Sequence, residues 1–125
     1  MNREEKYLVI DDISGRIPHG VVFKTDWGNK TLKGIQYDYV NTLLYFGVCN
    51  STNKVIETYV SEVKPYLFPI SSMTTEQKNA IDLIASSSST VLSDVVDFYN
   101  KNHIDYRGLI PKGLALDATG LNIYF

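Results

Sequence analysis

Glu62-Val63-Lys64-Pro65-Tyr66-Leu67-Phe68-Pro69-Ile70-Ser71-Ser72-Met73-Thr74-Thr75-Glu76-Gln77 is the stretch where the chain changes period. Upstream, apolar and aromatic residues alternate in short runs broken by Gly and Asn, the two-residue period of strands. Downstream, apolar residues recur every three or four positions, the period of helices. Pro65 and Pro69 hold φ fixed and stiffen the passage between the two regimes. Thr74 and Gln77 form a capping box, in which the Thr74 hydroxyl accepts from the Gln77 amide and the Gln77 side chain reaches back to the Thr74 amide.

Moving upstream, Val60–Val63 reads as one 3₁₀ turn, and Lys64–Phe68 as a short strand that Pro65 assigns to a sheet edge. Lys54–Tyr59 and Thr42–Cys49 are two further strands, separated by the polar turn Asn50–Asn53. Alternation in Thr42–Cys49 puts Leu44, Phe46 and Val48 on one face and Tyr45 and Cys49 on the other. Thr31–Tyr39 is expected to be one strand with Ile35, Tyr37 and Tyr39 on a common face, and Gly34 marks a bulge or bend within it. Asp26–Asn29 connects it to a first strand, Val21–Thr25, which follows the Pro18-His19-Gly20 turn. Before that, Tyr7-Leu8-Val9-Ile10 suits a strand, while Tyr7, Ile10, Ile13 and Ile17 line one helical face. A short N-terminal helix, stopped by Pro18, is the preferred reading, with a strand as the alternative.

Downstream, one helix is expected over Thr75–Ala85, burying Ala80, Ile81, Ile84 and Ala85. Ser86–Thr90 breaks it and provides an N-cap for a second helix, Val91–Asn102, which should bury Val91 or Leu92, Val95, Phe98 and Tyr99. His103–Phe125 has no sustained period but is rich in Leu, Ile and Tyr, so an ordered, extended tail is expected, with Tyr106–Gly113 packing back near Glu62–Gln77. The predicted class is α+β: a small five-stranded antiparallel barrel of Src-homology or Sm-like order within residues 1–70, with an N-terminal helix, then two helices and a tail in residues 71–125. This analogy rests on element order alone.

Composition narrows the function classes. A chain of 125 residues with formal charge −2 reads as one domain lacking the basic face that duplex DNA requires. Cys49 is alone, which rules out an intramolecular disulfide and a cysteine-based zinc site. No apolar run reaches membrane length and Met1–Lys6 lacks a signal-peptide core, so a cytoplasmic protein with no membrane partner is expected.

No reaction constellation stands out. His103 and Asp105 could pair as a base and its orienter, but at a helix end they more often form a capping cluster. Asp11 and Asp12 are adjacent, do not face each other on a helix, and read as solvated. No metal-ligand spacing, P-loop or dinucleotide fingerprint is present, and no cofactor is expected. Two binding sites are candidates. Tyr106, Arg107, Gly108 and Lys112 place cations beside glycines that can bring backbone amides to a small anionic ligand such as a cyclic nucleotide; the alternative is a structural loop. Tyr37 and Tyr39, with Tyr45, Tyr59, Lys24, Lys30, Lys33 and Lys54, could stack and track single-stranded RNA; the alternative is Tyr covering a half-buried sheet.

Three runs carry a resemblance: Glu62–Pro69 with Ser71–Thr74, Asp105-Tyr106-Arg107-Gly108-Leu109-Ile110-Pro111, and Gly113-Leu114-Ala115-Leu116. Across roughly residues 13–124 the chain resembles short uncharacterised proteins of gut Bacteroidales genomes and their phages and prophages. Members of that family often read Leu-Pro-Tyr-Gly where this chain has Ile17-Pro18-His19-Gly20, which weakens any role for His19. The resemblance carries no catalytic residues. It implies a small accessory protein of a phage or mobile element, in a bacterial host cytoplasm, and supports a helix ahead of the first strand. The expected function is therefore non-enzymatic binding: counter-defence by sequestering an anionic nucleotide signal or a host protein. The alternatives are an RNA-binding small barrel or a structural homo-oligomer.

Overall fold

The computed structural model describes residues 1–37, 42–49, 51–86 and 91–124, except for the side chains of residues 37, 91 and 92. Tyr39, Asn50 and residues 87–90 lie outside the described residues, and so does the end of the expected Thr31–Tyr39 strand.

The N-terminal segment is a helix, α1 (Arg3–Ser14). Its start is fixed by a reciprocal cap: the Asn2 side chain accepts from the Glu5 amide at 2.8 Å and the Glu5 carboxylate accepts from the Asn2 amide at 3.0 Å. Val9, Ile10 and Ile13 form its buried face, whereas Tyr7, assigned to that face from spacing, is 53% exposed. Pro18 sits in a 3₁₀ turn, Ile17–His19, that ends the helical region.

Strands β1 (Val22–Thr25) and β2 (Gly28–Thr31) form a hairpin. The strand expected over Thr31–Tyr39 is corrected: only its first residue belongs to β2, which begins at Gly28 inside the expected connection Asp26–Asn29, and a bend separates Thr31 from the next strand. The chain leaves β2, passes the fully buried Leu32, and begins β3 (Gly34–Tyr37) in a different sheet. Two backbone bonds fix that corner, Leu32 N–H to Val21 O at 2.9 Å and Lys33 N–H to Tyr45 O at 2.8 Å. The second sheet runs β3-β4-β5, with β4 spanning Thr42–Val48 and β5 spanning Val55–Tyr59. A 3₁₀ turn, Val60–Glu62, then returns the chain to the first sheet as β6 (Lys64–Pro69).

The first sheet is larger than expected. Two short tail strands, β7 (Ile104–Asp105) and β8 (Leu116–Asp117), pair parallel with β6, at Phe68 and Pro69 and at Tyr66 and Leu67 respectively. β6 is therefore an interior strand, flanked by β1 on one side and the tail on the other, and the edge assignment made from Pro65 is corrected. Pro65 is compatible with that position because the tail ladder begins one residue later, at Tyr66. The architecture is α+β, with two sheets and no ladder closing them into a barrel among the described residues.

The main core lies between the sheets, α1 and the tail. Phe23 and Phe46, one from each sheet, meet edge to face at 5.4 Å, and Leu67 and Leu109 are fully buried beside them. The capping box of α2 (Thr75–Ser86) forms as expected, with bonds of 3.0 and 3.1 Å between Thr74 and Gln77. Its apolar residues are less buried than their spacing implied. Ala80, Ile81 and Ile84 are half-buried, Ala85 is exposed, and Leu83 is 72% exposed. In α3 (Val91–Lys101), Val95, Phe98 and Tyr99 are half-buried, and Asn100 is the buried residue among the described ones; the expected burial of Val91 or Leu92 lies outside the described residues. Helical period marks which side of a helix is apolar, but the amount of body facing that side is set by tertiary packing.

On the outer face of the first sheet, the tail builds a second apolar cluster from Val22, Tyr66 and Ala118 with Leu116, Ile123 and Tyr124. Tyr124 joins three segments there: its hydroxyl accepts from Val22 N–H at 2.9 Å, donates to Tyr66 O, and its ring stacks on His103 at 3.6 Å. Tyr124→Phe keeps the ring and removes both hydrogen bonds. It should cost about 1–3 kcal/mol in chemical denaturation, because Val22 N–H is then left without that acceptor.

Candidate functional site

The Tyr106–Gly113 run lies near the seam: β7, which directly precedes it, pairs with Phe68 and Pro69, and Leu109 joins Val63 and Leu67 in the main core. Its internal geometry is that of a tied loop. The Asp105 carboxylate accepts from Leu109 N–H and Ile110 N–H, both at 2.8 Å, so these two amides are directed into the protein's own acid. Gly108 and Gly113 have φ of 74° and 73°, a left-handed backbone that glycine adopts without steric cost. Tyr106 stacks on Tyr99 at 5.3 Å, and the Arg107 guanidinium lies 5.2 Å over the Tyr106 ring. Arg107 Nε is 3.5 Å from Asp12, and Lys112 is exposed farther along the turn. Tyr106 and Arg107 are thus brought together, and no contact among the described residues joins Lys112 to them.

Beneath this loop is a feature that the sequence reading assigned to solvent. Asp12 is 1% exposed and Arg16 is fully buried. They form a two-pronged ion pair one helical turn apart, with Arg16 Nε to Oδ2 at 2.8 Å and Nη2 to Oδ1 at 3.1 Å. Arg16 Nη2 also donates to Ile104 O at 2.6 Å, and its guanidinium lies 5.5 Å over the Tyr106 ring. The spacing of an acid and an arginine at i and i+4 was the available signal. Gly15 permits the close approach of α1 to α3, since a Cβ there would lie 2.7 Å from Asn100 Nδ2.

His103 and Asp105 do not form a base and orienter, because both Asp105 oxygens serve the loop amides. His103 occupies the left-handed position that ends α3, at φ 59°, and is buried. Burial lowers its pKa to about 4, with the positive charge of Arg16 and then that of His19 acting in the same direction. No group of three or more His, Cys, Asp or Glu that could hold a metal occurs among the described residues.

A second candidate surface is the outward face of β3-β4-β5. Tyr45 and Tyr59 are 36% and 43% exposed there, and Glu57 stands directly opposite Tyr45. Val48 was expected to share a face with Leu44 and Phe46, which are buried. Instead it is 48% exposed and pairs across to Val55, which is 54% exposed. The cause is a bulge between Tyr45 and Gly47, with Gly47 at φ 113°, a conformation suited to glycine. One extra residue reverses the faces that follow, so Val48 turns outward and Cys49 packs against the core. Gly47 inside a strand was the sequence signal for this surface. The β3 backbone reaches Tyr37 at the rim of the sheet, while Tyr39 lies outside the described residues.

Compared with family models, curated proteins and solved structures, the chain has no significant match. Among the described residues, no helix is long and apolar enough to cross a membrane.

Asp12→Asn keeps the shape of the side chain but leaves Arg16 as a buried charge without its counter-ion. A loss of about 3–5 kcal/mol is expected in urea unfolding. A second measurement concerns pH. His103 has a folded pKa of about 4, below its ordinary 6.5, so the unfolded chain binds the extra proton between these values. The His103 contribution to stability is therefore full above pH 6.5 and is lost as pH falls towards 4. His103→Asn, which tolerates the left-handed backbone, should flatten the stability profile across that window.

Proposed function

We propose that the protein is a non-catalytic binding module whose working surface is the outward face of β3-β4-β5, and that its ligand is another protein. The observation that carries this reading is the apolar density of that face: Tyr45, Val48, Val55 and Tyr59 are all at least 36% exposed on two adjacent strands. Large apolar side chains grouped on a rigid sheet mark interaction surfaces, and Tyr is enriched in protein interfaces. Two features favour a protein over single-stranded RNA. The Val48–Val55 pair offers no aromatic platform for bases, and Glu57 beside Tyr45 repels a phosphate backbone.

Nucleotide sequestration at Tyr106–Lys112 is the weaker reading, since the Leu109 and Ile110 amides serve Asp105 and Arg107 leans on Asp12. The order of β6, β1 and β2 in one sheet and β3, β4 and β5 in the other supports reading the two sheets as halves of a small barrel of Src-homology or Sm-like type, cornered at Leu32. The resemblance to the Bacteroidales phage and prophage proteins supplies the setting: an accessory protein that engages host machinery or host defence in the bacterial cytoplasm.

The test is a double variant, Val55→Asp with Tyr59→Arg. Both positions are exposed, so the melting temperature should stay within about 3 °C of wild type. Quantitative capture from host lysate should retain a defined protein with wild type and lose it with the variant. Equal capture by both would remove this face as the site. A homodimer that dissociates in the variant would assign the face to a second copy, and tight binding of a labelled oligouridine that Tyr59→Ala abolishes would assign it to RNA.

A further inference from the structure

The outer face of the first sheet contains a charge arrangement that neither the fold nor the docking face uses. Lys24 of β1 and Lys64 of β6 are direct cross-strand partners. Directly opposed residues of an antiparallel pair hold their Cβ atoms roughly 4.5–5.5 Å apart, and like charges there disfavour the sheet. Both lysines are exposed, and no ion pair involves either of them among the described residues. They border an open cleft of about 260 Å³ whose other lining residues are Glu62, Val63 and Leu116.

Strand alternation explains the shape of this cleft. Lys64 and Tyr66 lie on the same face of β6, and Tyr66 pairs with Leu116 of β8, so Leu116 forms a wall next to Lys64. The tail covers Val22 and Tyr66 with Ala118 and Tyr124 and leaves both lysines exposed. Glu62 enters from the 3₁₀ turn before β6, and one of its oxygens already accepts from the Thr58 hydroxyl at 3.1 Å. The cleft therefore combines two ammonium groups on neighbouring strands, one carboxylate with acceptor capacity left, and an aliphatic wall.

We propose that this cleft binds a phosphate monoester of a small hydroxylated molecule. Two adjacent ammonium groups match a dianion, and a phosphate monoester carries a charge of about −1.5 to −2 at neutral pH with three acceptor oxygens. Glu62 cannot face the phosphate favourably, so it takes a hydroxyl donor of the same ligand, while Leu116 covers the carbon skeleton. A sugar phosphate and a nucleoside monophosphate share this chemistry. The site is separate from the β3-β4-β5 face and stands whether or not that face binds a protein.

The experiment is a titration followed by two-dimensional amide NMR, using ribose 5-phosphate, adenosine monophosphate, inorganic phosphate and unphosphorylated ribose as probes. Saturable shifts at Lys24, Glu62, Val63, Lys64 and Leu116 are expected with the two phosphate esters, and none with ribose. Lys64→Gln should weaken ester binding roughly tenfold or more. It should also leave the melting temperature of the free protein unchanged or higher, because the opposed charges are gone. The tighter of the two esters identifies the source of the phosphate. The proposal is overturned if neither ester gives saturable shifts, if the shifts centre on Tyr106–Lys112, or if Lys24→Gln with Lys64→Gln binds as wild type does. Inorganic phosphate binding as tightly as ribose 5-phosphate would remove the hydroxyl role given to Glu62.

Discussion

The ion pair between Asp12 and Arg16 is the constraint on which the arrangement of the chain ends depends. Both side chains are removed from water, a cost of several kcal/mol per ion that attraction between them offsets only with good geometry and further hydrogen bonds. The geometry is two-pronged, and the additional acceptor is Ile104 O, at the start of β7. A helix near the N-terminus is thereby tied to the strand that opens the C-terminal tail. Tyr106 lies under both Arg16 and Arg107, and Asp105 holds the following loop by its amides. A hydrophobic contact tolerates sliding, whereas a buried bidentate pair with a third partner admits few alternative registers.

β6 is the second organising element. It completes the first sheet against β1 and then offers its other edge to the tail, in two short parallel steps. An unpaired interior edge would expose a row of amides and carbonyls to chance pairing. The tail removes that liability and brings Leu109, Leu114 and Ala115 into the main core and Ala118 onto the outer face. The tail thus belongs to the core of the protein and is no appendage. The α2–α3 pair is different in kind: among the described residues its apolar side chains are at most half-buried, and Leu83 faces solvent.

Much of the fold was legible before any tertiary information. Thr74 and Gln77 announced the start of α2 because a capping box is a local device whose partners lie three residues apart. The strands β1, β4 and β5, the 3₁₀ turn at Val60–Glu62 and β6 followed from alternation and turn chemistry, which are also local. Tyr45 and Tyr59 were identified as surface candidates, yet Val48 was placed on the face of Leu44 and Phe46, since the bulge at Gly47 changes the faces only when the partner strand is present. Asp12 was assigned to solvent because adjacent acids usually are exposed, and nothing within three or four residues says how much protein lies above a helix.

The local periods and caps of this chain were enough to set its helices, most of its strands and the seam at Glu62–Gln77. Each of those features depends on residues close enough in sequence to interact before the chain collapses. Three things waited for the tertiary structure: the bend at Leu32 that sends one strand into two sheets, the pairing of β7 and β8 on β6, and the burial of Asp12 with Arg16. Each joins partners whose apposition depends on distant chain, up to 88 residues apart for Arg16 and Ile104, and long-range apposition leaves no periodic trace in the sequence. Both candidate surfaces, the apolar face of β3-β4-β5 and the lysine pair across β1 and β6, are products of that apposition. For this reason the chemistry of the surface was less legible than the elements that carry it.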